Sequence, residues 1–234
     1  MQQQSKYQAN YQDLLKTIAI IAMFIDHLGL YFFPKYEVMR VIGRIAMPLF
    51  CFFAGYNFHG KPNFKILLWG TGLYILTTIL FKQLLTTNIL IPIFIGQCYL
   101  YYFQDSIKSF FYSGYCHVIA LGVLWCITWG FVDYGTLVLA IMTLGYIAQR
   151  DFSNLRLALL ISVILSLFHT ITTFGFSDIY VIMTISLGVI EYILMIMKDF
   201  NQQISVNLRI ISRYSIYIYC IHLAIIQFMF VYYT

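Results

Sequence analysis

The chain has 234 residues, of which 61% are hydrophobic and only 10% are charged. Soluble domains carry about 25% charged residues, so this composition excludes an ordinary soluble protein and indicates several membrane spans. The net charge of +5 is spread over the connections between apolar segments, which favours a topology signal over a nucleic-acid surface. The five cysteines have no CxxC spacing and no HxxxH or HxxE pattern occurs, so we predict no metal site.

Apolar segments follow a polar, Gln-rich stretch at 1–13 that lacks the features of a removed signal peptide. At about 20 residues per span, they predict an all-α transmembrane bundle of about nine helices, in a range of roughly eight to ten. The whole chain, 1–234, then forms a single integral membrane domain. The predicted helices are 14–33, 41–58, 64–81, 88–104, 114–130, 132–149, 155–172, 179–197 and 213–233.

The lysines and arginines divide unequally between the two ends of these helices. With the helices numbered in order, ten lie on the side of the N-terminus and four on the opposite side. The positive-inside rule then predicts a cytoplasmic N-terminus, including 1–13. Lys35, Arg40 and Arg44 lie on the outer side against this rule. Either these cations have another task, or the helix count is wrong there.

The first helix carries ionisable groups at a depth where charge is costly and usually functional. Asp26 lies in a stripe of small residues, and His27 is about 100° further round the helix, so each needs its own partner. Counted from the turn near Tyr36, Asp26 is about ten residues deep and Arg44 about eight, a difference of ~3–5 Å. We predict an Asp26–Arg44 pair that leaves His27 facing a cavity. A purely structural ion pair explains the two charges equally well.

Pro48 lies four residues after Arg44 and removes the backbone donor that would bond to the Arg44 carbonyl. A kink or local unwinding there predicts a polar niche beside Asp26 and His27. A packing device with no chemical role is the alternative.

The last helix has a second polar face. Ser215, Tyr219 and His222 are spaced i, i+4 and i+7, so a hydroxyl, a phenol and an imidazole share one face. His222 lies too deep to reach the membrane surface. We predict a role in the site, with helix-to-helix hydrogen bonding as the alternative.

A small basic patch closes the second helix on the predicted cytoplasmic side. It contains Lys61 and Lys65 and follows His59. Such patches are commonly inside-facing charge, and a phosphate-bearing ligand is the sharper interpretation.

Several segments resemble the TraX family, which is named for an acetylase of conjugative pilin. The resemblance begins in Leu15–His27, which ends in Asp26-His27, and in Ile42–Phe50, which holds Gly43-Arg44 and Pro48. It continues in Asn88-Ile89-Leu90 with Gly96, in Asp133-Tyr134-Gly135 with Tyr146, and in Tyr217–Leu223. The chain has Cys220-Ile221 where the family tends to show a proline before its His-Leu pair.

The resemblance implies a multi-pass acyltransferase of a bacterial-type inner (cytoplasmic) membrane. Its cofactor would be acetyl-CoA, and its acceptor an amine or hydroxyl of unknown identity, such as a protein N-terminus or a glycan. In this interpretation His27 is the catalytic base or a transient acetyl carrier, and Asp26 orients the site. The donor would be held by Arg44, Lys16, Lys61 and Lys65, and the acceptor by His222 and Tyr219.

Two other functions fit the same residues. Buried Asp, His and Arg are equally natural in a small proton-coupled transporter, although no inverted repeat is visible. In a structural or adaptor protein the charges would only pair helices.

Overall fold

The computed structural model describes residues 9–82, 88–108, 135–150, 203–204 and 208–233, with the isolated positions 160, 163, 164, 167 and 188. The predicted helices 114–130, 155–172 and 179–197 lie almost entirely outside these ranges, so the count of nine spans stays a prediction. Across the described ranges the protein is helical apart from one antiparallel pair of two-residue strands.

The described elements run in a simple order. They are β1 (Ala9–Asn10), α1 (Tyr11–Tyr31), α2 (Glu37–Gly43), α3 (Ala46–Tyr56), α4 (Phe64–Phe81), α5 (Leu90–Lys108), α6 (Gly135–Arg150), β2 (Gln203–Ile204), α7 (Arg209–Arg213) and α8 (Ser215–Tyr233).

Among the described residues, four helical stretches are long and apolar enough to cross a membrane. They are Tyr11–Tyr31, Glu37–Tyr56, Phe64–Phe81 and Ser215–Tyr233. They correspond to the predicted spans 14–33, 41–58, 64–81 and 213–233, which confirms the predicted class of membrane-type helical protein.

Helix α1 begins at a capping box, which sets its first residue earlier than the apolar pattern indicated. The Asn10 side chain accepts a hydrogen bond from the Asp13 backbone N–H at 3.0 Å. The Asp13 carboxylate accepts one from the Asn10 N–H at 3.1 Å. These bonds satisfy two backbone donors that a helix start leaves open.

The second predicted helix, 41–58, is two helices with a break at Arg44 and Ile45. Pro48 is the third residue of α3, in the first turn, where a missing backbone N–H costs no helical hydrogen bond. The predicted local unwinding after Arg44 is therefore confirmed. Before the break, Gly43 lies so close to α1 that a Cβ there would collide with the Asp26 side chain.

Helices α3 and α6 pack closely within the described part of the core. A Cβ added to Gly55 would collide with the Met142 carbonyl, and one added to Gly145 with the Phe52 carbonyl. The two backbones thus approach each other through paired glycines, as small residues allow between membrane helices. Fully buried side chains around this contact include Phe52, Phe53 and Met142.

The Gly145→Ala variant is expected to lose about 1–3 kcal/mol of stability, because the added methyl group meets backbone that cannot move aside cheaply. Thermal unfolding in detergent measures this loss. Gly72→Ala is the matched control, since a Cβ on Gly72 of α4 has no atom within 4 Å. Equal melting temperatures for the two variants would contradict the packing of α3 on α6.

Helix α5 begins beside the middle of α4, not beside its end. The Asn88 amide donates to the Gly70 carbonyl at 2.7 Å, and its oxygen accepts from the Leu90 N–H at 3.2 Å. Further along α5, the Gln97 side-chain oxygen accepts from the Asn63 backbone N–H at 2.8 Å, at the start of α4. The two helices are therefore antiparallel, with the N-terminus of α5 level with the middle of α4.

Candidate functional site

Helix α8 packs against α1 and brings two histidines together. The His27 Nδ1 and His222 Nε2 atoms are 2.7 Å apart, a hydrogen-bond distance, and the rings stack with centroids 5.0 Å apart. The Tyr219 ring lies 6.1 Å from the His27 ring and 5.9 Å from the His222 ring. Helix α8 thus places His222 and Tyr219 beside His27 of α1.

The backbone of α8 decides which nitrogen of His222 carries its proton. His222 Nδ1 lies 2.8 Å from the Ile218 carbonyl oxygen, which can only accept, so Nδ1 must be the N–H donor. His222 is buried, and a buried imidazolium would be costly. In the neutral ring, Nε2 is then the acceptor.

The proton on His27 follows from this arrangement. Because His222 Nε2 accepts, His27 must donate from Nδ1, which leaves Nε2 of His27 as the nitrogen with a free lone pair. No residue that the structure describes hydrogen-bonds to this second nitrogen. His27 thus presents a base, or a nucleophile, whose tautomer is fixed by its neighbour.

Asp26 forms a hydrogen-bonded ion pair with Arg40, whereas the predicted partner was Arg44. Arg40 Nη1 donates to Asp26 Oδ2 at 2.8 Å and to the Asp26 carbonyl at 3.2 Å. Arg44 interacts with the Asp26 carboxylate through its charge. The depth count from Tyr36 did not identify Arg40, because α1 ends at Tyr31, about five residues after Asp26.

A cavity of about 240 Å³ lies beside these groups. This histidine cavity is bounded by apolar or glycine residues and by five polar side chains: Asp26, His27, Arg40, Arg44 and Tyr219. Asp26 Oδ1 is buried and accepts no hydrogen bond from the described residues. The wall of the histidine cavity therefore combines a neutral imidazole, a carboxylate oxygen and two guanidinium groups.

A second cavity of about 330 Å³ adjoins the first and shares Phe50, Ile89 and Tyr219 with it as common wall. The other polar side chains of this amide cavity are Lys16, Asn57, Asn63, Gln97 and Ser215. The Lys16 ammonium lies 5.6 Å from the centroid of the Phe53 ring.

The predicted site residues separate into three places. The histidine cavity is lined by Asp26, His27, Arg44 and Tyr219. His222 supports this wall through its contact with His27. Lys16 lines the amide cavity. Lys61 and Lys65 are exposed and flank the turn from α3 to α4, next to Asn63. Within the described residues no group of three metal-binding side chains converges.

Sequence reasoning missed Arg40, Asn57 and Gln97. A signal for Arg40 was present, since Gly43 follows it at i+3 and marks the face of α2 that must touch α1. For the two amides no signal was available, because Asn57 follows α3, Gln97 lies on α5, and only the packing of the helices brings them to one cavity.

Comparison with known proteins identifies the family. A sequence model of the family described as TraX protein matches residues 11–230. An uncharacterized protein of Rickettsia prowazekii (strain Madrid E), RP591, is 55% identical over 231 residues, covering 95% of this chain and 93% of that protein.

Two further relatives match over shorter stretches. A probable fimbrial assembly protein, FimC of serogroup H1, from Dichelobacter nodosus is 46% identical over 53 residues, covering 21% of this chain and 22% of that protein. Protein TraX of Escherichia coli is 36% identical over 66 residues, covering 26% of this chain and 27% of that protein. No solved structure matches the chain. The match over residues 11–230 shows that this chain belongs to the TraX family.

Proposed function

We propose that the protein is a membrane acyltransferase that moves an acetyl group from cytosolic acetyl-CoA to an amine or hydroxyl acceptor. The observation that carries this proposal is the His27–His222 pair, in which a backbone carbonyl fixes one tautomer and leaves His27 Nε2 as a base. An acyl transfer needs such a base, because the attacking amine or hydroxyl loses a proton as it attacks.

The proposed reaction is a direct transfer in the histidine cavity. The acceptor nitrogen or oxygen attacks the carbonyl carbon of the thioester, and His27 Nε2 takes the acceptor's proton. The C–S bond then breaks as the tetrahedral intermediate collapses. The sulfur leaves with that proton as the thiol of CoA, and the acetyl group stays on the acceptor. His27 returns to its neutral form without a further reactant.

The charged groups of the cavity have complementary tasks in this proposal. Asp26 Oδ1, which has no described hydrogen-bond donor, would accept from the acceptor's amine or hydroxyl and orient it. Arg44 lies in the same wall and would stabilise the oxyanion that develops on the thioester carbonyl. Arg40 holds Asp26 in place through the pair at 2.8 Å.

The acceptor is the least defined partner. The Dichelobacter nodosus relative is named as a probable fimbrial assembly protein, which makes the N-terminal amine of a surface-fibre subunit a reasonable first acceptor. A glycan hydroxyl is the second class to test.

The deciding experiment uses purified protein in proteoliposomes with acetyl-CoA labelled in its acetyl group. A peptide with a free N-terminus and an aminosugar serve as separate acceptor probes. We expect release of CoA and transfer of label to one of them. Flux of a solute without thioester cleavage would instead show a transporter. The absence of both thioester cleavage and solute flux would favour a structural protein, in which the charges only join helices.

A further inference from the structure

Two polar side chains of the amide cavity have orientations that their backbone contacts decide. Gln97 accepts a hydrogen bond from the Asn63 backbone N–H at 2.8 Å, so the atom facing Asn63 must be the side-chain oxygen. Its amide nitrogen, with two N–H groups, donates to none of the described residues. Gln97 is buried on α5 and lines the cavity, which leaves this nitrogen as a donor for a ligand.

Asn57 has the opposite polarity. Its amide nitrogen donates to the Phe53 carbonyl at 3.0 Å and to the Gln12 side-chain oxygen at 3.1 Å. Because the Phe53 carbonyl can only accept, the nitrogen of Asn57 is fixed on that side. Its oxygen is then the acceptor that remains, and no described residue donates to it.

Gln97, which has an unused donor, and Asn57, which has an unused acceptor, thus line the same cavity. A secondary amide in an extended chain presents the matching groups, a C=O that accepts and an N–H that donates. Apolar residues, including Ile93 and Ile66, form most of the remaining wall. The cavity therefore suits a flexible chain that alternates methylene groups with amides.

The amide cavity lies between the exposed lysines and the histidine cavity. The exposed lysines Lys61 and Lys65 lie at one end, the cavity with Lys16 follows, and the histidine cavity lies beyond the shared wall of Phe50, Ile89 and Tyr219. In acetyl-CoA the phosphates come first, the two amides of the pantetheine arm second and the thioester last.

We infer that the amide cavity binds the pantetheine arm of the thioester donor, with Gln97 donating to an arm carbonyl and Asn57 accepting from an arm N–H. This inference rests on the proposed function and adds the binding site of its donor. The cavity of about 330 Å³ falls within the roughly 300–1,000 Å³ typical of small-molecule sites. Lys16 would meet the phosphate end of the arm.

Binding of coenzyme A to the intact protein in detergent tests the inference, measured by calorimetry for the wild type and two variants. Gln97→Met removes the amide at nearly constant volume. Gln104→Met makes the same change two turns later on α5, at a residue outside the walls of both cavities. We expect Gln97→Met to weaken binding about 5- to 100-fold, as for one hydrogen bond in a buried site, and Gln104→Met to leave it unchanged.

Equal affinity of the wild type and Gln97→Met for coenzyme A would overturn the inference, as would failure of the wild type to bind it. Neither result depends on turnover, so the proposed function is judged separately by thioester cleavage. If Gln97→Met does not fold, a pantetheine analogue with a photoreactive diazirine replaces it. Label on the segments that carry Asn57 and Gln97 supports the inference, and label confined to other segments overturns it.

Discussion

Turnover of acetyl-CoA is expected to fall about 10²–10⁴-fold when His27 is replaced by alanine, the usual loss when a general base is removed. Among the described residues the imidazole hydrogen-bonds only to His222, so folded yield should change little. The measurement is the rate of CoA release in proteoliposomes under saturating donor.

His59→Ala is the matched control, because His59 is exposed, lies three residues after the end of α3 and lines neither cavity. Its turnover should equal that of the wild type. Full retention of turnover in His27→Ala would remove His27 from the mechanism. Equal losses in both variants would indicate a general effect of histidine removal on the protein.

The Arg40→Gln variant is expected to lose about 3–5 kcal/mol of stability, because it leaves the Asp26 carboxylate buried without its hydrogen-bonded cation. The side chains of Arg40 and Asp26 are only 25% and 13% exposed, so solvent screens the pair weakly. The double variant Asp26→Asn with Arg40→Gln removes both charges and should recover most of this stability.

The Arg44→Gln variant distinguishes a structural role of Arg44 from a role in the reaction. Arg44 lines the histidine cavity, and the hydrogen-bonded ion pair of Asp26 is with Arg40. We expect Arg44→Gln to fold with near-normal yield and to lose turnover. If Arg44→Gln unfolds as readily as Arg40→Gln, both arginines are structural. Thermal unfolding and CoA release, measured on the same preparations, distinguish these outcomes.

The membrane helices were predictable because hydrophobicity alone selects them. The four long spans lie within a few residues of the predicted 14–33, 41–58, 64–81 and 213–233. The break after Arg44 was also predictable, because Pro48 lacks the backbone N–H that would bond to the Arg44 carbonyl. The starts of α1 and α2 were not predicted well, because polar caps and a first turn outside the apolar run set them.

The partners of the charged residues could be identified only from the three-dimensional structure. Helical geometry correctly separated Asp26 from His27, and each does have its own partner. Choosing Arg40 over Arg44 required the end of α1 at Tyr31 and the close contact at Gly43, neither of which composition reveals. The two deep histidines were both identified, but their direct contact follows only from the packing of α8 on α1.

The position of one proton on His27 tests the proposed mechanism most directly. With histidine labelled in both ring nitrogens, ¹⁵N NMR distinguishes protonated from unprotonated nitrogens, and the His27→Ala variant assigns the signals. We predict a neutral His27 with its proton on Nδ1 and an unprotonated Nε2, beside a His222 protonated on Nδ1. A His27 protonated on Nε2, either as the other tautomer or as imidazolium, would contradict its role as the base.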